Sequence, residues 1–227
     1  MARGDVTESR RARANPKADH PYHHGDLRAA LVDAAYELVE RDGADALSLR
    51  EVARRVGVSH AAPKHHFSDK AALLAAVGAR AFDELAATME QARRRAGDDP
   101  LARLTSAGVA YVSFAASHPA LFRSMFGGAL AGAADAEVRA RSRRAFEVLV
   151  DAASHAAGPS ATPAELRVLV TAAWSAVHGL SLLWLDGRLG RRARAGGGEA
   201  IARLATEVTE LLAEAVRRRV ESRGPRP

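Results

Sequence analysis

The sequence predicts an all-α protein of about nine helices, because apolar residues recur at spacings of three and four along most of the chain. Two further observations agree. The segments between glycine and proline breaks begin with residues that cap helices. The alternation of apolar and polar residues that is typical of a strand does not occur. We expect a small N-terminal unit of three helices with helix-turn-helix geometry, followed by a larger helical unit.

The composition narrows the class of protein without naming a partner. The chain has 227 residues and no cysteine, which excludes disulfides and thiolate chemistry. Its net charge is +6, but residues 1–70 carry 12 Lys and Arg against 11 Asp and Glu, so charge alone does not locate a nucleic-acid site. We expect no apolar run of the roughly 18 residues that a membrane span needs, and no signal peptide. A soluble, cytoplasmic protein is therefore expected.

The chain begins with a polar arm and a first helix. Residues 1–21 hold five basic residues and no apolar periodicity, which predicts a disordered basic arm. Asp26 begins the first helix and Gly43 ends it. The apolar positions between them follow the spacing of a buried stripe, and they are Leu27, Leu31, Ala34, Ala35, Leu38 and Val39.

The stretch from residue 48 to residue 70 predicts two short helices and the start of a long one. Ser48 and Glu51 form a capping box that begins a helix, and Gly57 ends that helix. Ser59 offers a second start, and Asp69 or the serine before it offers a third. Three starts within roughly 25 residues are typical of a helix-turn-helix.

A proline lies where the second of these helices begins. Pro63 has no backbone N–H and clashes with the carbonyl four residues earlier, so it fits only in the first turn of a helix. We therefore expect the second helix to begin near Ala62, with residues 59–61 in a looser turn.

The remaining helices follow from their breaks and caps. A long helix from Lys70 to about Arg95 is predicted to connect the two units, and five more helices are expected after it. These are Leu101–Ser117, a short helix from Pro119 to Gly127, Ala134–Ala157, a helix from Thr162 to Leu185, and a last helix with Ile201, Leu204, Val208, Leu211 and Ala215 on one stripe. Residues 188–198 are expected to form a loop.

Two stretches resemble one known family. YHHGDLR from Tyr22, followed by ALSLREVARRVGVSHAAPKHHFSDKAALL, is similar to the DNA-binding domain of the TetR family of transcriptional repressors. WSAVHGL, from Trp174 to Leu180, resembles the tryptophan-histidine-glycine signature of one subgroup's C-terminal domain. The family usually has an apolar residue and a tyrosine where this chain has Pro63 and Lys64.

The resemblance implies an organisation and a function. Residues 22–70 would form the DNA-binding domain, 71–96 a connecting helix, 97–220 the ligand-binding and dimerisation domain, and 221–227 a disordered tail. The last two long helices would pair in a homodimer that binds an inverted-repeat operator in double-stranded DNA. An unknown small-molecule effector, apolar or amphipathic, would release the DNA.

Residues of the predicted second helix are candidates for reading DNA. In helix-turn-helix docking the first residues of that helix reach base edges in the major groove. Imidazoles can donate to or accept from bases, alanines can contact a thymine methyl, and a lysine can reach guanine or phosphate. The candidates are Ser59, His60, Ala61, Ala62, Lys64 and His65. By resemblance to the family, Ser48 and Lys70 would hold phosphates, with His23, His24 and His66 as weaker backbone contacts.

A second set of residues is a candidate ligand pocket. Six aromatic, histidine or methionine side chains occur within residues 111–126, and a tryptophan and a histidine lie one helical turn apart further on. These side chains could instead belong to the core, and both interpretations stay open. The set is Tyr111, Phe114, His118, Phe122, Met125, Phe126, Trp174 and His178, and Gly179 is expected to permit close helix packing.

Two alternatives to a ligand-responsive regulator remain. A metal sensor could use His20, His23 and His24, or His65 and His66, although cysteine ligands are lacking. An enzyme with an added helix-turn-helix is the other. The sequence contains no nucleophile elbow, P-loop, dinucleotide fingerprint or H-E-x-x-H motif, so we expect no catalytic residue, no cofactor and no membrane partner.

Overall fold

The computed structural model describes residues 26–127, 136–190 and 195–222, which form eight α-helices and two short 3-10 turns without any strand. This confirms the all-α prediction. Residues 1–25, which include the predicted arm with His20 and also His23 and His24, lie outside the described residues, as do residues 223–227. The helices are α1 (Leu27–Asp42), α2 (Leu49–Val56), α3 (Lys70–Arg95), α4 (Pro100–Ser117), α5 (Pro119–Gly127), α6 (Ala136–Ala157), α7 (Pro163–Leu185) and α8 (Gly197–Glu221), and the 3-10 turns are Ala44–Ala46 and Ala62–His65.

Most predicted helix ends are capped as the sequence indicates. The Asp26 carboxylate accepts from the N–H of Ala29 at 2.9 Å, and Asp69 caps α3 in the same way. At the start of α7, Thr162 and Glu165 satisfy each other's backbone N–H groups in a complete capping box. Of the loop expected over residues 188–198, residues 191–194 lie outside the described chain, and Gly197 and Gly198 already belong to α8.

The capping box predicted at the start of α2 is only half formed. The Ser48 hydroxyl accepts from the N–H of Glu51 at 3.2 Å, as predicted. The Glu51 carboxylate does not return to the N–H of Ser48, because both of its oxygens bind the guanidinium of Arg54, at 2.6 and 2.8 Å. Gly57 ends α2 in the left-handed conformation, with φ of 78°.

The second helix of the predicted helix-turn-helix is a single 3-10 turn. It begins at Ala62, as expected, and the N–H of Lys64 donates to the carbonyl of Ala61 at 3.1 Å. Pro63 is buried in the first turn of this segment, where its missing N–H leaves no hydrogen bond unmade. We call residues 59–66 the recognition segment, and α1, α2 and this segment the helix-turn-helix unit.

Helix α3 belongs to both parts of the molecule. Its first turns pack on α1, and the rest packs between α4 and α6, where Phe82, Leu85 and Met89 are buried. The core is continuous from Leu31 in α1 to Val216 in α8. The helix predicted as a connector therefore also forms a wall of the larger unit, α4 to α8.

Helix α8 packs on α4 through small residues, which corrects the predicted stripe. A Cβ atom at Gly108 in α4 would lie 2.7 Å from Cγ2 of Thr209, so the two helices touch closely there. The residues of α8 that are buried are Ala200, Ile201, Ala205, Thr209, Ala213 and Val216. Of the predicted stripe, Ile201 is buried and Leu204 and Val208 are partly buried against the core, whereas Ala215 is exposed and Leu211 is 73% exposed.

Helix α7 is more apolar than the sequence analysis allowed. It is long and apolar enough to cross a membrane by length and composition, so the expectation that no such run exists was wrong. It packs against α4, α6 and α8, yet only 33% of its most apolar window is buried within the chain. The Cβ position of Gly179 faces open space, so this glycine does not serve helix packing within the chain.

Candidate DNA-binding surface and ligand cavity

The recognition segment presents a continuous polar surface. The side chains of Ser59, His60, Lys64, His65 and His66 are exposed, and none of them has a hydrogen bond or ion pair to another described residue. Pro63 and Phe67 are buried beneath them and fix the segment against the rest of the unit. Ala61 is exposed and Ala62 is partly buried on the same surface. These donors and acceptors are therefore available to a bound nucleic acid.

The two predicted phosphate contacts already have partners within the chain. The Ser48 hydroxyl caps α2, and the ammonium of Lys70 donates to the carbonyl of Asp45 at 2.8 Å. Both side chains lie at helix N-termini, where backbone N–H groups favour an anion. Arg50, in the first turn of α2, is exposed and has no ion pair to a described residue. Sequence reasoning missed it, although its place two residues after Ser48 was a usable signal.

A cavity of about 560 Å³ lies between α3, α4, α5, α6 and α7. Four of the predicted pocket residues line it, namely Tyr111, Met125, Phe126 and Trp174. The other lining residues are Phe82, Leu85, Met89, Gly108, Val138, Arg139, Ser142, Arg143, Ala145, Phe146, Leu149 and Val177. Sequence reasoning missed the walls from α3 and α6, and it had treated α3 as a connector between the two units.

Two predicted pocket residues stand just behind the wall. Phe122 is fully buried and packs edge-on against Tyr111, with ring centroids 5.6 Å apart. His178 contacts Phe126 at 4.8 Å and Trp174 at 5.7 Å between ring centroids, and it shares a hydrogen bond of 2.8 Å with the Tyr111 hydroxyl. These rings connect the predicted cluster of α4 and α5 to α7.

Burial keeps the polar pair at the cavity neutral. Desolvation raises the pKa of Tyr111, so its hydroxyl stays protonated, and desolvation lowers the pKa of His178, which favours the neutral imidazole. The Tyr111 hydroxyl can then donate to Nδ1 of His178, and the ring proton resides on Nε2. The pair adds a polar point beside the aromatic side chains of the cavity wall.

The remaining two predicted pocket residues lie away from the cavity. Phe114 is buried beside His118, with ring centroids 4.7 Å apart. His118, between α4 and α5, forms a hydrogen bond through Nδ1 to the carboxylate of Glu40 in α1. His118 therefore joins the helix-turn-helix unit to the larger unit.

Other contacts strengthen this junction. The Tyr36 hydroxyl in α1 donates to the Glu84 carboxylate in α3 at 2.5 Å, and the guanidinium of Arg80 lies 4.5 Å from the centre of the Tyr36 ring. Burial is the main cause that raises the pKa of the Tyr36 hydroxyl, and the hydrogen bond to Glu84 raises this pKa further. Arg80 also pairs with Asp33. Because α5 packs on α1 while Met125 and Phe126 reach the cavity, α5 links the two units.

Within residues 26–127, 136–190 and 195–222, no group of three or more His, Asp and Glu side chains could hold a metal ion. His65 and His66 lie on the recognition segment, while His20, His23 and His24 are outside the described residues.

Two protein families match separate parts of the chain. Residues 31–77 match the family described as bacterial regulatory proteins, tetR family, and residues 104–208 match the family described as tetracyclin repressor-like, C-terminal domain. The first match contains α2 and the recognition segment, and the second contains most of the cavity wall. No curated protein matches the chain.

Solved structures share this fold. A protein of unknown function from Rhodococcus sp. RHA1 is 34% identical, covering 86% of this chain and 100% of that one, with a TM-score of 0.70. A tetR-family transcriptional regulator from Streptomyces coelicolor is 25% identical, covering 87% and 89%, with a TM-score of 0.66. FadR from Bacillus subtilis, solved in complex with stearoyl-CoA, is 15% identical, covering 82% and 97%, with a TM-score of 0.61, and at that identity it is similar in fold alone.

Proposed function

The chain belongs to the TetR family of bacterial regulatory proteins, and from that premise we propose that it is a homodimeric, ligand-responsive repressor. It would bind an inverted-repeat operator and release it when a small apolar or amphipathic molecule fills the cavity. The observation that carries the proposal is the link from the cavity to the helix-turn-helix unit, since α3 and α5 both line the cavity and both pack on α1.

The helix-turn-helix unit would read the operator. Residues 22–70 form the proposed DNA-binding domain, with the recognition segment in the major groove. His60, Ala61, Ala62 and His65 would meet base edges, and Lys64 would contact phosphate or guanine. Ser59, Ser48, Lys70 and His66 would contact the backbone, and we extend the set with Arg50. His23 and His24 remain predicted backbone contacts.

The outer faces of α7 and α8 would form the dimer interface. Val168 is 67% exposed and Leu211 is 73% exposed, although large apolar side chains usually lie inside a protein. On α7 the same row contains the small residues Ala172 and Ser175, which are exposed, and Gly179, which is partly exposed, and these would let a second helix approach closely. Paired with their copies, these two helices would form a four-helix bundle and set two recognition segments about one turn of DNA apart.

A ligand would act by favouring one of two arrangements. Met125 and Phe126 of α5 line the cavity, while the residue before α5, His118, is bonded to Glu40 in α1. A molecule that moves α5 outward would therefore shift α1 and the recognition segment with it. If it binds better to the arrangement with the wrong spacing, the operator is released.

Further parts of the proposal rest on the sequence and the family. We place the chain in the subgroup with a tryptophan-histidine-glycine signature, and the contact of Trp174 and His178 beside the cavity supports this. We also propose a cytoplasmic protein without enzymatic activity. Residues 71–96 and 97–220 are assigned to the connecting helix and to the ligand-binding and dimerisation domain.

One experiment tests the core of the proposal. Bound sites would be selected from random double-stranded DNA with the purified protein and then sequenced. An inverted repeat with half-sites about one helical turn apart is expected from a twofold dimer. Selection of no motif, or of a single unrepeated half-site, would contradict a dimeric operator-binding regulator.

A further inference from the structure

The cavity has an apolar interior and a basic mouth. Its deep walls are aromatic and aliphatic side chains of α3, α4, α5 and α7. The polar side chains contributed by α6 are Arg139, Ser142 and Arg143, which follow one another at helical spacing on one face. Among the described residues that line the cavity there is no acidic side chain. The charged side chains among the described lining residues are therefore of one sign.

Arg143 is not neutralised by any residue that the structure describes. Its side chain is exposed, and it has no ion pair or hydrogen bond to another described residue. Arg141 of the same helix differs in this respect, since it binds Asp83 at 2.9 Å and Glu137 at 3.5 Å. A planar guanidinium presents paired donors that match a carboxylate, and it stays charged at any physiological pH.

We propose that the cavity takes an anionic amphipathic ligand, with its apolar body among the aromatic side chains and its carboxylate at Arg143. This inference rests on the proposed function, because it assumes that the cavity is the effector site. Phe146 and Trp174, which pack edge-on at 5.6 Å, line the same cavity as Arg143 and are both more than a third exposed. They would cover the first carbons of the chain below the carboxylate.

The size and polarity of the cavity favour a single medium-length chain. About 560 Å³ lies within the usual range for small-molecule sites, which bury most of an apolar ligand and orient it with a few polar groups. A cationic amphipath would meet like charge at the mouth, and a neutral alcohol would leave the guanidinium without a partner. Discrimination by headgroup charge is thus the property that the geometry predicts.

The test compares three probes with the same ten-carbon chain, namely decanoate, decanol and decyltrimethylammonium. Binding to the full-length protein is measured by isothermal titration calorimetry in the absence of DNA. We expect decanoate to bind at least about tenfold more tightly than either other probe, since a charge-assisted arginine–carboxylate contact exceeds a neutral one. Arg143→Gln should remove most of that difference while leaving the affinity for decanol unchanged.

A neighbouring arginine provides the matched control. Arg144 follows on the same helix and is also exposed, but it lines a separate groove against α3. Arg144→Gln should therefore bind decanoate as the wild type does. An equal loss in both variants would show a general effect of net charge and would overturn the proposal.

The remaining outcomes are also decisive. Equal or tighter binding of decanol or of the cation, or no binding of any probe, would overturn the proposed ligand class. DNA release is measured separately by fluorescence anisotropy with the selected operator. If decanoate binds through Arg143 but does not release DNA, the ligand class stands and the proposed regulation fails. If decanoate does not bind but a different molecule releases the DNA, the proposed regulation stands and the proposed ligand class fails.

Discussion

Glu40 and His118 form a hydrogen bond that joins the helix-turn-helix unit to the larger unit, and both residues are only partly exposed. His118 directly precedes α5, whose Met125 and Phe126 reach the cavity. The contact therefore lies where a displacement of α5 would pass to α1.

Removing this hydrogen bond should weaken the coupling between ligand and DNA. We expect His118→Ala to bind the operator with nearly wild-type affinity but to respond less to ligand, losing about 0.5 to 2 kcal/mol of coupling free energy. The measurement is operator affinity with and without saturating ligand. Glu37→Gln is the control, because Glu37 lies one turn earlier on α1 and pairs with Arg55 inside the helix-turn-helix unit. A full ligand response in His118→Ala would contradict this role.

Gly108→Ala should destabilise the larger unit. The added methyl would lie 2.7 Å from Cγ2 of Thr209 and 3.2 Å from Cγ1 of Val177, and overpacking of this kind costs about 1 to 3 kcal/mol. The free energy of unfolding is measured by urea denaturation. Thr209→Ser should restore part of the loss in the double variant, because it removes the clashing methyl and keeps the hydroxyl that bonds to the Ala205 carbonyl. If the losses of unfolding free energy of the two single variants simply add in the double variant, the contact between the new methyl and Thr209 is not the cause of the destabilisation.

Leu211→Glu should convert the proposed dimer to a monomer without unfolding the chain. Leu211 is 73% exposed within one chain, so a charge there costs little, but it would be buried in a bundle of α7 and α8 with their copies. Sedimentation equilibrium at micromolar concentration measures the change, and circular dichroism checks that helix content is kept. A wild-type protein that sediments only as monomer would contradict the interface itself.

Lys64→Ala should weaken binding to all DNA sequences alike. A lysine that contacts phosphate contributes through counterion release, so its loss should reduce the slope of log affinity against log salt by about one. Affinity is measured across a salt titration for an operator and for unrelated DNA. Lys64→Arg should keep the slope. Equal affinity of Lys64→Ala and wild type at every salt concentration would exclude the contact.

The stability of the protein should fall in mild acid because of His178. Burial lowers its pKa in the folded state, so the unfolded chain binds the proton first, at its ordinary pKa of about 6.5. Stability from the neutral imidazole is thus present above that pH and is lost as the pH falls through the folded-state pKa. His178→Gln should flatten this part of the dependence, measured as the difference in melting temperature between pH 8 and pH 5. An unchanged difference would show that other histidines cause it.

The local elements of the fold could be predicted from single side chains. Asp26, Gly57 and Thr162 each act through neighbours a few residues away, so their capping roles follow from the sequence. Only one half of the capping box predicted at Ser48 forms, because Arg54 binds the Glu51 carboxylate. A sequence motif does not show that a second side chain competes for the same carboxylate.

The composition of the cavity was only partly predictable because it depends on packing between distant segments. Tyr111 and Phe126 came from a local cluster of aromatics, whereas Phe82 and Phe146 join them only through the placement of α3 and α6. Leu211 was assigned to the buried stripe by periodicity alone. Periodicity identifies an apolar face, but it does not reveal that Thr209 and Gly108 bring the other face against α4.

Because α3 is one continuous helix, a small tilt of α3 at the cavity produces a larger displacement of its N-terminal end, next to the recognition segment. Leu85, in the cavity wall, lies 15 residues beyond Lys70, and at the rise of an α-helix this distance is about 22 Å. A rigid lever of that length needs a tilt of only about 8° to carry its far end about 3 Å, which is the length of one hydrogen bond. The recognition segment ends four residues before that far end, so a ligand that leaves every helix intact can still move it out of register with the bases.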